Sequence, residues 1–231
     1  MSADVPAFEP DLGELDVDGA LAEALSRTPL TRTRLLQAGA GIGAVVAALA
    51  AAESAEAAFA SSDVSILNYA LTLEYLQASF YTEAERVGAL RGRARHAARI
   101  VGAVERAHVA ALQKALGKAA IGRPRFNFQG TTEDGTKFLK TAVAFEDLAV
   151  AAYKGQAPLI KSDALLAAAV SIHSVEARHA AWMRHLFGIT PAATAFDQPE
   201  SRPEIERIVQ STHFVATPTK TTGKGAPRYT G

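Results

Sequence analysis

Apolar side chains recur at steps of three or four residues in four long segments of the chain. This spacing places them along one face of an α-helix, so each segment is predicted to bury that face against its neighbours. A fifth, shorter helix is expected over residues 202–210. The predicted long helices are 63–87, 92–116, 136–153 and 163–187.

The ends of these segments carry residues that commonly start or stop helices. Asp63, Asp134 and Asp163 stand where a side chain can accept hydrogen bonds from the free N–H groups of a first helical turn. Gly155 and Gly188 follow the third and fourth segments, where a glycine readily ends a helix. These residues set the predicted helix boundaries.

The connections between the segments differ in length, and this predicts how the helices pack. Short links at 88–92 and 155–162 make each flanking pair of helices antiparallel neighbours. The middle link, 117–135, holds four glycines and a proline and can cross the length of a bundle. The expected fold class is therefore all-α: a four-helix bundle of two hairpins joined by one long crossover, over residues 61–190.

Residues 1–60 have the features of an export signal. Arginines precede an uncharged stretch at 35–52, and Ala58-Phe59-Ala60 forms a small-x-small cleavage site. The stretch "LTRTRLLQAGAG" resembles a twin-arginine signal, although Thr33 separates its arginines. We expect an exported protein, periplasmic, envelope-bound or extracellular, with the export machinery as a partner. An uncleaved N-terminal helix that anchors the protein in the membrane or packs on it is the alternative.

Charge and composition exclude some partners and some kinds of site. Formal net charge is zero, but residues 1–60 hold nine acidic residues and three arginines, so residues 61–231 carry the balancing excess of Lys and Arg. That excess is scattered without interleaved aromatics, which argues against a nucleic-acid partner. The chain has no cysteine, which excludes thiolate metal sites and disulfides. Residues 191–231 are expected to form a C-terminal extension, disordered from about 217.

The motif Glu-x-x-His occurs twice, at Glu105–His108 in the second helix and 71 residues later in the fourth. A glutamate precedes each copy by about 30 residues, on the apolar face of the first and third helices. A tyrosine follows each of those glutamates by seven residues. The chain therefore reads as two similar hairpins. The repeated residues are Glu74, Tyr81, Glu105, His108, Glu146, Tyr153, Glu176 and His179.

Four inward carboxylates and two inward imidazoles predict a metal site. Positions i and i+3 share one helix face, so the Glu and His of each motif can approach one point. Buried carboxylates cost several kcal/mol, roughly, unless they are paired or bound to a cation. Two divalent ions would balance four carboxylates, and oxygen plus imidazole ligands suit iron or manganese. The predicted cofactor is two Fe ions, with Mn as the alternative; a metal-free bundle with Glu–His salt links is the structural alternative.

Other residues near these positions could support the site. Tyr81 and Tyr153 are candidate hydrogen-bond donors or redox tyrosines, although a role as core residues with a satisfied hydroxyl is favoured. His173 lies one turn before Glu176 and could be an extra ligand or partner, although a structural role is favoured. Asp147 neighbours a predicted ligand but points elsewhere, and could orient a partner on an adjacent helix.

The chain resembles the ferritin-like superfamily over residues 63–188. The stretch "FNFQGTTEDGTKFLKTAVAFEDLAVAAYKGQAP" and the later "AFDQPES" are similar to its branch of exported ferritin-like and desiccation-related proteins. The resemblance implies a dinuclear iron fold with the ligands named above. It implies little about the reaction, because many members of this branch have no assigned activity. From the metal site, the leading hypothesis is an oxidoreductase that acts with O₂ or peroxide. The alternatives are a protective bundle without turnover, for stress or desiccation, and an iron-storage cage; a homodimer is a further expectation.

Overall fold

The computed structural model describes residues 59–216. This part of the chain is helical, with one isolated backbone bridge between Phe126 and Val215 and no strand, which confirms the all-α prediction. Short 3₁₀ turns follow two of the helices, at Gly117–Ala119 and Ala157–Leu159. The helices are α1 (Ser61–Val87), α2 (Gly92–Leu116), α3 (Gly135–Gln156), α4 (Asp163–Phe187) and α5 (Arg202–Ser211).

The four long helices form a bundle of two hairpins. α1 packs along α2, and α3 packs along α4, as the short links between them require. Contacts between α1 and α3 and between α2 and α4 join the two hairpins. The buried apolar side chains of all four helices make one core. The metal-site candidates lie within this core rather than at the bundle surface.

The crossover between α2 and α3 is anchored by aromatic side chains. Phe126 and Phe128 are fully buried, and the ring of Phe128 lies 5.4 Å from that of Phe80 on α1. The backbone of the crossover also pairs with the C-terminal end of the described chain: Asn127 N–H donates to the carbonyl of Phe214 at 2.8 Å. The crossover is therefore an integral part of the core.

Two of the predicted helix caps, Asp63 and Asp163, are wrong. Asp63 lies inside α1, and its carboxylate accepts the backbone N–H groups of Lys161 and Ser162, each at 3.0 Å. It therefore ties the start of α1 to the link before α4. Ser162, not Asp163, caps α4, and its hydroxyl accepts from Leu165 N–H at 3.4 Å.

Of the remaining predicted helix boundaries, those at Asp134 and Gly188 are confirmed and that at Gly155 is wrong. Asp134 caps α3 as expected, accepting from Lys137 N–H at 2.8 Å. Gly188 ends α4 in the left-handed conformation with φ 85°, also as expected. Gly155 does not end α3: it lies inside the helix, where an added Cβ would come 1.9 Å from the carbonyl oxygen of Glu200. Its lack of a side chain admits the returning C-terminal extension.

α5 packs against α3, and residues 191–200 before it are exposed and irregular. Within residues 59–216, no helix is both long and apolar enough to span a membrane. The predicted export signal falls almost entirely before residue 59, and the tail predicted to be disordered falls after residue 216. Both lie outside the described residues.

Candidate metal centre

Each of the four long helices brings a carboxylate to the middle of the bundle. Glu74 comes from α1 and Glu146 from α3, while α2 and α4 each contribute one glutamate and one histidine three residues apart. All four carboxylates are fully buried, because they occupy the same helix faces as the apolar core residues. The two histidines are 8% and 6% exposed. The six residues are Glu74, Glu105, His108, Glu146, Glu176 and His179.

One group of potential ligands surrounds the imidazole of His108. Its Nδ1 lies 2.9 Å from Glu176 Oε1, 3.4 Å from Glu74 Oε2 and 3.5 Å from Glu105 Oε2. The four residues each offer one atom, and these atoms all lie within 4.8 Å of one another. That spread suits donors arranged around a single cation.

A second group surrounds His179 in the same way. Its Nδ1 lies 2.9 Å from Glu105 Oε1, 3.6 Å from Glu146 Oε2 and 3.9 Å from Glu176 Oε2. Glu105 and Glu176 belong to both groups and turn one oxygen towards each. The arrangement is therefore two adjacent sites that share two carboxylates, with one private glutamate and one histidine each.

The hydrogen bonding of these atoms leaves room for cations. Both oxygens of Glu105 and of Glu176 are buried and have no hydrogen-bond partner within residues 59–216. The same is true, in that part of the chain, of Glu74 Oε2, Glu146 Oε2 and the Nδ1 atoms of both histidines. Close N···O distances therefore occur without hydrogen-bond geometry. Buried polar atoms are almost always satisfied, so a set of eight that converge on two points fits two metal ions.

The shifted pKa values show how strongly burial and neighbouring charges act on these side chains when no cation is bound. Burial raises the pKa of Glu146 to about 7 and, with the nearby charge of Glu176, raises the pKa of Glu105 above its usual range. Burial also opposes ionisation of Glu176, but its contacts with the two imidazoles outweigh that effect and lower its pKa to about 2. Burial lowers and the surrounding carboxylates raise the pKa of His179, which reaches about 12. Protons thus occupy part of the site that cations would fill.

Two tyrosines hold the private glutamates. Tyr153 on α3 donates its hydroxyl to Glu74 Oε1 on α1 at 2.6 Å. Tyr81 on α1 donates to Glu146 Oε1 on α3. Hydrogen-bond donation was one candidate role of these tyrosines, and the sequence did not predict that each would donate to the glutamate of the opposite helix. In both carboxylates the other oxygen, Oε2, is left facing the histidine.

The last two candidates do not join either ligand group. Asp147 accepts a hydrogen bond from Arg184 Nη1 at 2.7 Å, which links α3 to α4 at a partly exposed position. Arg184 is in neither ligand group, so this contact joins two helices without touching a candidate ligand. His173 is half-buried, and its Nε2 has no hydrogen-bond partner among the described residues.

These features define a class of protein: a four-helix bundle with a buried carboxylate–histidine cluster compatible with a dinuclear metal site. The chain matches the ferritin-like domain family over residues 62–188, more than half of its 231 residues. It belongs to that family. A search of curated proteins found no match.

Proposed function

We propose that the protein binds two iron or manganese ions in this centre and is an oxidoreductase that reacts with O₂ or peroxide. The observation that carries the proposal is the set of buried, unpartnered ligand atoms divided between two groups that share Glu105 and Glu176. Four carboxylates balance the charge of two divalent ions, and a mixed oxygen and imidazole set favours iron or manganese.

Four of the six residues would each bind one ion, and the other two would bind both. Glu74 and His108 would hold one, Glu146 and His179 the other, and Glu105 and Glu176 would contact both. Two bound Fe²⁺ ions would supply two electrons for the reduction of O₂ to hydrogen peroxide, or of hydrogen peroxide to two molecules of water, with two protons taken up in either case.

The chain's own side chains prepare the site for this chemistry. The tyrosine hydroxyls fix the private glutamates in one orientation, and outer hydrogen bonds of this kind strengthen metal binding. The fully buried carboxylates lie where bulk water is excluded. Electrostatic attraction between carboxylates and cations is stronger in such a site than in solvent.

Oxygen uptake on addition of Fe²⁺ tests the proposal. The full chain is expected to consume O₂ faster than the protein-free buffer. Glu176→Gln keeps the shape of a shared ligand but removes its charge, and should return uptake to the buffer rate. Glu204→Gln, on the exposed face of α5, changes the same charge away from the centre and should leave uptake unchanged.

A non-catalytic protective role is the second candidate, and the complete burial of the four carboxylates favours it over chemistry on large substrates. A protein of this kind would bind the metals tightly yet show no oxygen or peroxide consumption above background. Its similarity to desiccation-related ferritin-like proteins supports this alternative. Metal bound without turnover in the uptake experiment would select it.

We also propose that the protein is exported. The support is the arginine, apolar and Ala-x-Ala pattern of residues 1–60. Expression of the full chain with a C-terminal tag, followed by cell fractionation, tests it: recovery in the envelope or medium is expected. Retention of all protein in the cytoplasm would contradict it. Size-exclusion chromatography of the same material separates a monomer or homodimer from a storage cage.

A further inference from the structure

An apolar cavity lies beside the metal centre, walled by residues of all four long helices and of the turn after α3. Apart from Gln156 and two tyrosines, every side chain that lines it is aliphatic. The space open to the centre of a water-sized molecule is about 30 Å³, enough for one small molecule. Its inner wall, the part nearest the candidate ligands along their helices, includes Leu73, Leu112, Tyr153 and Ile172.

The inner wall is next to the ligands of one half of the centre. Leu112 lies four residues after His108 on α2, and Leu73 directly precedes Glu74 on α1. Four residues of helix are about one turn, or 5.4 Å along the axis. Tyr153 is both a wall of the cavity and the donor to Glu74 Oε1. The cavity therefore ends against the half of the centre formed by Glu74 and His108.

The outer wall reaches towards the surface. Ile66, Ala157 and Ile160 line the cavity and are only half-buried, in contrast to Leu165 and Ile172. They lie near the start of α1 and in the turn that links α3 to α4. A small molecule that enters there meets apolar side chains until it reaches Tyr153.

The other half of the centre has a different setting. The counterpart of Tyr153 in the repeat is Tyr81, whose ring packs 5.8 Å from Phe138 and 5.4 Å from Phe80. A Cβ added at Gly102 would lie 2.8 Å from Tyr81 Cβ, so α2 approaches this tyrosine closely. The ligands repeat between the hairpins, but the space beside them does not.

The apolar lining of the cavity favours the entry of apolar molecules over polar ones. A solute that hydrogen-bonds to water, such as hydrogen peroxide, would lose those bonds in the cavity and gain few in return, at a cost of roughly 2 kcal/mol or more. Dioxygen is small and apolar and loses no hydrogen bonds on entry. We propose that this cavity is the binding and entry site for dioxygen, and that it delivers O₂ to the Glu74–His108 half of the centre. The proposal rests on the proposed oxidoreductase function and selects O₂ over peroxide as its oxidant.

Xenon binding to the metal-free full chain tests the cavity without any need for turnover. Xenon is an apolar atom that occupies dry cavities of this kind. The unaltered protein is expected to bind xenon, detected by ¹²⁹Xe NMR, and Ala168→Leu is expected to abolish binding because the added side chain fills the space. Ala97→Leu is the matched control: Ala97 lies 71 residues earlier, is equally inside the core, and does not line the cavity. Absence of xenon from the unaltered protein would overturn the proposal.

The role in oxygen entry is tested by comparing two oxidants on the iron-loaded protein. Ala168→Leu should slow Fe²⁺ oxidation by O₂ about tenfold, equivalent to about 1.4 kcal/mol, and leave oxidation by hydrogen peroxide within about twofold. Equal O₂ rates in the variant and the unaltered protein would overturn the entry role while leaving the oxidoreductase function intact. If the unaltered protein oxidises no Fe²⁺, the proposed function fails, and the dependent oxygen role fails with it, although xenon binding still reports on the cavity.

A second variant tests the proposal if Ala168→Leu does not fold. Leu165→Ala removes wall atoms from a fully buried position and should enlarge the cavity. More xenon bound and a faster O₂-dependent rate are expected. A larger xenon signal with a slower O₂ rate at unchanged metal content would count against delivery through this cavity.

Discussion

At the scale of single residues, the centre depends on how each carboxylate divides its two oxygens. Glu74 and Glu146 give one oxygen to a tyrosine and keep the other for the histidine side. Glu105 and Glu176 have no hydrogen-bond partner at either oxygen, so both are available to cations. The difference assigns private and shared ligands without reference to any bound ion.

Loss of the Tyr153 hydroxyl should weaken metal binding. Tyr153→Phe removes the donor to Glu74 Oε1 and frees that carboxylate to rotate, so the affinity for Mn²⁺ is expected to fall by about tenfold or more. Competition titration with a chelator measures it. Tyr75→Phe is the control, because the Tyr75 hydroxyl contacts the Ile121 carbonyl and Gln113 rather than a ligand. Equal affinities in the two variants would contradict the assigned role.

Metal binding should release protons and tighten as pH rises. Without metal, the surrounding carboxylates hold the pKa of His179 at about 12, and burial holds that of Glu146 at about 7. Both groups therefore bind protons near pH 7 that a cation must displace, and fewer remain to displace at higher pH. Mn²⁺ added in weak buffer at pH 7 should release at least one proton per chain, because His179 is protonated and Glu146 about half protonated at that pH. An affinity that does not change between pH 6 and 8, with no proton release, would show that the sites are already deprotonated.

At the scale of elements, the sequence predicted the helices well because burial and chemistry share one periodicity. The ligands repeat on the same faces as the apolar residues, so one pattern located both. Helix starts failed where a distant segment decided the outcome. Asp63 turns to the backbone of Lys161 and Ser162, 98 and 99 residues away, and no local rule contains that contact. The sequence also did not predict that each tyrosine donates to the glutamate of the opposite helix, because these contacts too join segments far apart in the chain.

Gly155 provides a test of element packing. Gly155→Ala places a methyl group against the Glu200 carbonyl, which must move, so the free energy of unfolding should fall by about 1–3 kcal/mol. Gly135→Ala in the same helix meets no atom within 4 Å and should change stability by roughly 0.5 kcal/mol at most. Urea denaturation of both variants measures the difference. Equal stabilities would mean that the extension does not hold against α3.

At the scale of the whole molecule, two similar hairpins surround one centre, but the residues that pack beside its two halves differ. Aromatic packing fills the side of Tyr81, whereas an apolar cavity borders Tyr153. The convergence of the candidate ligands could be predicted from the repeat, because spacing along a helix fixes which side chains share a face. The cavity could not, since it depends on how aliphatic side chains from four helices fail to fill one space. The crossover and α5 complete the core around this arrangement.

The most direct test of the central claim is metal content, measured by elemental mass spectrometry on the full chain after reconstitution with Fe²⁺ or Mn²⁺. About two ions per chain are expected, because two ligand groups share two carboxylates. The double variant Glu105→Gln, Glu176→Gln should lose both ions, whereas Glu133→Gln, Glu204→Gln, which changes one exposed and one half-buried glutamate away from the centre, should retain them. The same metal content in both double variants, or none in the unaltered protein, would contradict the dinuclear centre and leave the cluster as a network of buried acid and imidazole groups.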